Sequence, residues 1–207
     1  MTQAHPIVIG LIGGVASGKS SVGRHLEKLG AKRLDADAVG HEALLASEVI
    51  EQLKQAFGAD ILDANGAIDR KTLGAKAFAS PERVSELNGI THPWIRARMS
   101  ERLSALKQEL DLPAIVLDVS LLLESGAYEG QYDTLLFVDT PRALREQRAQ
   151  EIRGWPQGEL EKRERHQWPL EKKQAEANCV IHNDGSLSEL EAQVEAFWHN
   201  TVSAREK

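Results

Sequence analysis

The amino-acid sequence predicts an open α/β fold, in which helices flank a parallel sheet. Short apolar runs typical of buried parallel strands occur at 7–12, 114–119, 133–139 and 179–181. Helical patterns lie between and after them, most clearly behind the first run and over 187–198. Strands that alternate with helices form a sheet whose ligands bind at the carboxyl ends of the strands.

Composition limits the protein's class. The chain of 207 residues, 42% hydrophobic, predicts one compact domain over 1–207 with an insertion. A net charge of -6 argues against a nucleic-acid partner. Cys179 is the single cysteine and the seven histidines lack zinc-ligand spacing, so we expect neither a disulfide nor a structural metal. Neither a secretion signal nor a membrane span is evident, which predicts a cytoplasmic protein.

The stretch "GLIGGVASGKSSV", from Gly10 to Val22, follows the first apolar run and precedes a helical pattern. It fits G-x-x-x-x-G-K-[ST] and predicts a nucleotide site, because glycines let backbone N–H groups surround a phosphate at a helix N-terminus. We expect Lys19 to reach the β- and γ-phosphates and Ser20 to bind Mg²⁺. The alternative is a glycine-rich turn with a solvated lysine. The predicted nucleotide-binding residues here are Gly13, Gly14, Val15, Ala16, Ser17, Gly18, Lys19, Ser20 and Ser21.

Two carboxylates follow the next strand-like run. Residues 32–37 predict a short strand that ends with Asp35 and Asp37 on one face. Residues 38–113 then separate it from the next candidate strand, far more than a crossover needs, and their apolar spacing is helical. We expect this insertion to form a helical lobe that binds a second substrate.

A basic segment lies between the last two strands. Residues 141–173 contain nine Lys or Arg and six Glu, a net charge of +3 in a chain of -6. A basic segment near a phosphate site predicts a mobile lid. The alternative is a solvated helix pair with ion pairs four residues apart.

Several separated segments together resemble one family. Their order and spacing resemble those of the dephospho-CoA kinase family. The segments are "GLIGGVASGKSSV", "DADAVGHE", "GAIDRKTLGAKAFASPE", "LNGITHPWI", "VLDVSLLLESG" and "QWPLEKKQAEANCVIHNDGSL". The resemblance covers nearly the whole chain. It implies a P-loop kinase core with a five-stranded sheet, a helical CoA-binding region and a lid. It also implies transfer of the ATP γ-phosphoryl group to the ribose 3′-hydroxyl of dephospho-CoA, with Mg²⁺.

The resemblance also implies roles for single residues. Asp37 matches the family's catalytic base, as a carboxylate that accepts the hydroxyl proton; the alternative is that Asp35 and Asp37 only cap the next helix. Arg148, Arg153 and Arg163 are the lid candidates for phosphate contact, with Arg148 and Arg163 preferred as catalytic. Matching positions around the acceptor are Asp35, Arg70, His92, Leu121, Leu122 and Glu124, and those beside adenine are Asn183 and Gly185.

Some positions depart from the family's pattern. Ala16 and Ser21 replace a frequent Gly and Thr, Ser120 replaces a usual Pro, and the arginines of the basic segment are spaced unusually. His92 precedes Pro93, which predicts a helix start there or a structural role for the histidine.

Other functions remain open from the sequence. A kinase for a nucleoside monophosphate or shikimate would share the core, and a regulatory GTP-binding switch would use D-x-x-G, which occurs at 37–40 and 63–66. No [NT]-K-x-D motif supports the switch. We expect the partner to be the small molecule dephospho-CoA, and the protein to be a monomer or small homo-oligomer.

Overall fold

The computed structural model describes residues 5–206, and its centre is a five-stranded sheet. The strands stand in the order β2-β3-β1-β4-β5, and β1 pairs in parallel with β3 and β4, as β4 does with β5. The predicted α/β fold is confirmed. The strands are β1 (Ile7–Gly13), β2 (Lys32–Asp35), β3 (Ala114–Asp118), β4 (Thr134–Asp139) and β5 (Cys179–His182).

Nine α-helices occur within the described residues. None of them, in that part of the chain, has both the length and the apolar character needed to cross a membrane. Short 3₁₀ helices lie at Ala59–Ile61 and Ser203–Glu206. The α-helices are α1 (Lys19–Lys28), α2 (Ala36–Ala43), α3 (Ser47–Phe57), α4 (Arg70–Ala77), α5 (Pro81–Leu106), α6 (Arg142–Glu151), α7 (Glu159–Glu164), α8 (Leu170–Glu176) and α9 (Leu187–Thr201).

The chain divides into two compact units. The second unit is Asp35–Leu103, and the first comprises the residues before and after it. In the first, apolar side chains of the sheet pack against α1 and α9, with Ile9, Leu11 and Leu136 fully buried. The second has a core of its own, formed by Val49, Leu53, Phe57, Ile61, Leu73 and Ala77. It begins three residues before the predicted insertion of 38–113 and ends ten residues before that insertion does.

Two local sequence predictions were wrong. The strand predicted over 32–37 ends at Asp35, because the Asp35 side chain caps α2 by accepting from the backbone N–H groups of Asp37 and Ala38 at 2.9 and 3.1 Å. The helix start predicted at Pro93 is also absent, since α5 runs through Pro93 and places His92 within the helix. Proline removes one helical hydrogen bond, here to the carbonyl of Gly89, where no side chain crowds the turn.

Candidate functional site

The loop of residues 13–20, called here the glycine loop, connects β1 to α1. Gly13, Ala16 and Gly18 have positive φ angles of 152°, 60° and 91°. Gly18 is the N-cap of α1, where no side chain caps the first N–H groups and no acidic residue occupies the first turn. An uncapped helix N-terminus carries a partial positive charge, so this end of α1 suits an anion.

Side chains bind the carbonyl groups of the glycine loop. Thr140 Oγ1 and Asn183 Nδ2 each donate to the Ser17 carbonyl at 2.8 Å. Arg145 Nη1 donates to the Val15 carbonyl at 3.4 Å. A loop whose carbonyls are held in this way can present N–H groups to an anion, as an anion-binding nest does.

Gly13 and Gly18 are among the glycines of the loop that have no room for a side chain. A Cβ on Gly13 would lie 2.7 Å from the Val138 carbonyl oxygen. A Cβ on Gly18 would overlap Nδ2 of Asn183, and the φ of Gly18 is one that side chains rarely adopt. These contacts keep the loop's backbone close to its surroundings, as a phosphate cradle requires.

Lys19 and Ser20 lie at the start of α1. Lys19 Nζ donates to the carbonyls of Gly13 and Gly14 at 3.3 and 3.0 Å, so its ammonium group crosses the loop. Ser20 is exposed in the first turn. No group of three His, Cys, Asp or Glu side chains suited to a metal occurs within residues 5–206. The Ser20 hydroxyl is an oxygen donor of the kind that Mg²⁺ prefers.

Arg148 on α6 lies beside the glycine loop. Its Nη2 donates to the Asn183 carbonyl at 3.0 Å. Its Nη1 is buried and has no hydrogen-bond partner among the described residues, and burial lowers the pKa of the guanidinium. A Cβ on Gly18 would lie 3.7 Å from this Nη1, so the spare donor is at the N-terminus of α1. An unpaired buried donor is costly, and a ligand oxygen would satisfy it.

The other two arginines from the sequence prediction stack on one tryptophan. The guanidinium groups of Arg153 and Arg163 lie 4.8 and 4.1 Å from the ring centre of Trp155. Arg163 also donates to Glu159 at 3.0 Å. Trp155 packs against a cluster that includes Ala16 of the glycine loop and, from the basic segment, Ala149 and Leu160. The basic segment thus contacts the loop.

Asn183, expected beside adenine, is buried at the end of β5. Its side chain binds the glycine loop, and its backbone N–H donates to the backbone carbonyl of Asp139 at 2.8 Å. Gly185 lies in the exposed turn that follows, before Ser186 caps α9. Asn183 therefore supports the glycine loop, a role separate from the predicted one beside adenine.

The residues expected at the acceptor wall follow β3. Leu122 is buried and Leu121 is exposed. Leu122 and Glu124 line a cavity of about 430 Å³ together with Tyr132 and Trp168. Glu124 Oε1 accepts from Lys173 Nζ and from the backbone N–H of Trp168, both at 2.8 Å. Burial alone would raise the pKa of Glu124, but these hydrogen bonds outweigh it and lower that pKa. Glu124 is thus a carboxylate held in place.

The remaining predicted residues belong to the second unit. Asp37 is exposed in the first turn of α2, directly after its cap Asp35. Arg70, at the start of α4, lies with Nη2 3.0 Å from Nε2 of His41. His92 lies on α5, where partial desolvation and the nearby Arg96 guanidinium lower the pKa of its imidazole.

Sequence reasoning missed the residues that support the site. Thr140 and Arg145 bind the glycine loop, and Lys173, only 2% exposed, binds Glu124. Arg145 precedes Arg148 by three positions on α6, a spacing that places both on one helix face and was the available signal. Nothing in the sequence pattern distinguishes Lys173 from its solvated neighbours.

Comparisons with known proteins agree with one another. The family model for dephospho-CoA kinase matches residues 7–189. A dephospho-CoA kinase from Geobacter metallireducens is 40% identical over 197 residues, which cover 95% of this chain and 97% of the relative. The crystal structure of TT1252 from Thermus thermophilus is 35% identical with a TM-score of 0.76, over 96% and 99% of the two chains. A dephospho-CoA kinase from Campylobacter jejuni, 24% identical, shares the fold with a TM-score of 0.72, over 97% and 100%. The chain belongs to the dephospho-CoA kinase family.

Proposed function

We propose that this protein transfers the γ-phosphoryl group of ATP to the ribose 3′-hydroxyl of dephospho-CoA. The observation that carries the proposal is the glycine loop, whose carbonyls are tied back by side chains while the N-terminus of α1 stays uncapped. The chain belongs to the dephospho-CoA kinase family, and the glycine loop would supply such a kinase with a cradle for the phosphates of ATP.

The triphosphate would bind the glycine loop and two side chains. Backbone N–H groups of the loop and of the first turn of α1 would bind its oxygens. Lys19 Nζ would exchange its loop carbonyls for the β- and γ-phosphates, and the spare Nη1 of Arg148 would donate to a ligand oxygen. Asn183 and Gly185 would lie at the adenine side.

Ser20 would hold Mg²⁺, which when bound would neutralise negative charge on the phosphates of ATP. The protein's part would be to offer one hydroxyl in the first turn of α1, where no carboxylate is present to repel the phosphates. The remaining ligands would come from ATP and water.

Asp37 would act as the general base for the transfer. Its carboxylate accepts the proton of the 3′-hydroxyl while the bond from that oxygen to the γ-phosphorus forms, and the bond from the γ-phosphorus to the oxygen bridging to the β-phosphate breaks. ADP leaves, and the phosphorylated acceptor carries the transferred group. Arg163, and Arg148 beside the loop, would stabilise charge on the phosphoryl group as it moves. Asp35 would position Asp37 through its cap on α2.

Acceptor binding would involve the second unit and the wall after β3. We assign the helical insertion 38–113, with Arg70 and His92, to the CoA portion, and Leu121, Leu122 and Glu124 to the wall. The basic segment 141–173 would act as a lid that excludes water during transfer.

Acceptor choice tests this proposal. The purified protein is supplied with ATP, Mg²⁺ and, in separate reactions, dephospho-CoA, shikimate and a nucleoside monophosphate, and ADP release is measured. We expect turnover with dephospho-CoA and a product heavier by one phosphoryl group in mass spectrometry. Turnover of another acceptor with only background ADP release on dephospho-CoA would overturn it. Omission of Mg²⁺ tests the cation, and light scattering tests for a monomer or small homo-oligomer.

Closure of the basic segment has its own test. We expect dephospho-CoA with a non-hydrolysable ATP analogue to slow tryptic cleavage after Arg148, Arg153 and Arg163 and to change the emission of Trp155 and Trp168. Cleavage rates and emission that are unaltered at saturation would identify the segment as a static, charged helix pair.

A further inference from the structure

Arg145 on α6 is a buried cation with three protein acceptors. The residue is 3% exposed. Its Nε donates to the Thr140 carbonyl at 3.1 Å, and its Nη1 donates to the Val15 carbonyl at 3.4 Å. The same Nη1 forms an ion pair with Glu164 on α7. One rigid guanidinium therefore binds the end of β4, the glycine loop and the basic segment at once.

This contact also accounts for a glycine. A Cβ on Gly14 would lie 2.9 Å from Nη1 and 3.2 Å from Cζ of Arg145, closer than a side chain tolerates. The guanidinium therefore packs directly against the loop backbone at Gly14. The donors of the planar guanidinium lie on separate nitrogens at fixed angles, so Nε and Nη1 bind acceptors that stand apart from one another.

We propose that Arg145 is a positioning residue, which through its ion pair with Glu164 fixes the position of α7 relative to the glycine loop. Arg163, assigned above to the transferring phosphoryl group, is the neighbour of Glu164 on α7. Arg145 therefore positions the glycine loop through its hydrogen bond to the Val15 carbonyl. Through its ion pair with Glu164 it also positions Arg163, which we propose acts on the phosphoryl group. This inference rests on the proposed function, and it adds a residue that touches neither ATP nor acceptor.

The two bonds predict different kinetic effects. Glu164→Gln releases α7 but leaves Arg145 on the Val15 carbonyl, so we expect kcat to fall by roughly 10- to 100-fold, the scale for a displaced catalytic group. The KM for ATP should change by less than about twofold, because the cradle is kept. Arg145→Gln loses the bonds to Glu164, the Val15 carbonyl and the Thr140 carbonyl, and we expect the KM for ATP to rise by about tenfold in addition to the loss in kcat.

Coupling and rescue separate positioning from general destabilisation. We expect the double variant Arg145→Gln/Glu164→Gln to be no slower than Arg145→Gln alone, because the second change removes a partner that is already lost. Arg145→Lys, which keeps the charge opposite Glu164, should recover part of kcat. The matched control is Glu161→Gln, a change on the same helix as Glu164. It removes an exposed ion pair with Arg165 and should change neither kcat nor the KM for ATP.

The measurements are kcat and KM for ATP per folded molecule, with unfolding temperatures recorded for every variant. Glu164→Gln kinetics like those of Glu161→Gln, or effects of the two single changes that simply multiply, would overturn the proposal. If Arg145→Gln fails to fold, Glu164→Gln and Arg145→Lys still decide it. A wild-type protein that does not turn over dephospho-CoA refutes the proposed function instead. In that case, the Trp155 emission of Glu164→Gln is compared with that of the wild type in the absence of acceptor. An unchanged spectrum would contradict the positioning role of the ion pair between Arg145 and Glu164.

Discussion

Replacing Gly18 with alanine tests the geometry of the glycine loop. The new methyl group would overlap Nδ2 of Asn183, which donates to the Ser17 carbonyl at 2.8 Å. The φ of +91° adds backbone strain whatever the space. Both effects act on the segment that we propose binds the triphosphate.

The magnitude follows from these two terms. Left-handed backbone at a residue with a side chain costs roughly 1–2 kcal/mol. Displacing Asn183 leaves a buried polar group unpaired, which costs about 1–3 kcal/mol. The total of roughly 2–5 kcal/mol falls on the binding conformation, and since each 1.4 kcal/mol is about tenfold, the Kd for ATP should rise by at least ~30-fold.

Isothermal titration with a non-hydrolysable ATP analogue measures the effect. Gly130→Ala is the matched control, because its φ is +71° and nothing lies within 4 Å of the added Cβ; it should leave the Kd within about twofold. In an Asn183→Ala background, Gly18→Ala should cost only the strain, about tenfold. The same fold-change in both backgrounds would refute the steric argument.

Four further substitutions test the other assignments. Lys19→Ala should keep the fold and lower kcat by roughly 10²–10³, and near wild-type turnover in a steady-state assay would contradict its place on the phosphates. Asp37→Asn should lower kcat by roughly 10²–10⁴ with little change in ATP affinity, whereas Asp35→Asn should act mainly through a weaker cap on α2; the reverse ranking would mean that the wrong carboxylate was assigned. Glu124→Gln leaves Lys173 buried without a counter-charge and should reduce the unfolding free energy by about 3–5 kcal/mol at pH 7. Because the folded-state pKa of Glu124 is lowered, its stabilisation is complete above the unfolded value of about 4.3 and is lost as pH falls through the folded value. Urea titrations should therefore show the wild type and Glu124→Gln converging in acid, and a constant difference down to about pH 3 would contradict the pKa argument.

The sequence predicted the sheet and the glycine loop because both depend on local patterns. About a dozen residues are enough to recognise an apolar run of strand length, or the spacing of Gly13, Gly18 and Lys19. The strand that was predicted to include Asp37 ended early, since a cap on the backbone prevailed over an alternating pattern. The assignments of Asp37, Arg70 and His92 to chemistry remain predictions.

The supports of the site were not predictable in this way. Asn183 and Arg145 lie 166 and 130 positions from the loop residues that they bind. Such contacts exist only once the strands are assembled. The spacing of Arg145 from Arg148 indicates a shared helix face but not the partners that Arg145 binds. Lys173 looks like any solvated lysine of a basic helix, yet it is buried against Glu124. A charge pattern gives the sign of a segment and leaves open which of its members turn inward.

Ala16 is the one described residue other than glycine with a positive φ, and its side chain is buried against Ala149 and Leu160. A left-handed angle at a residue with a side chain costs roughly 1–2 kcal/mol, so it persists only where the surroundings hold it. Burial of the Ala16 methyl group against two residues of the basic segment, Ala149 and Leu160, offsets part of that cost. The shape of the glycine loop therefore depends on the basic segment staying packed against it, and separating the two would remove this support from the loop.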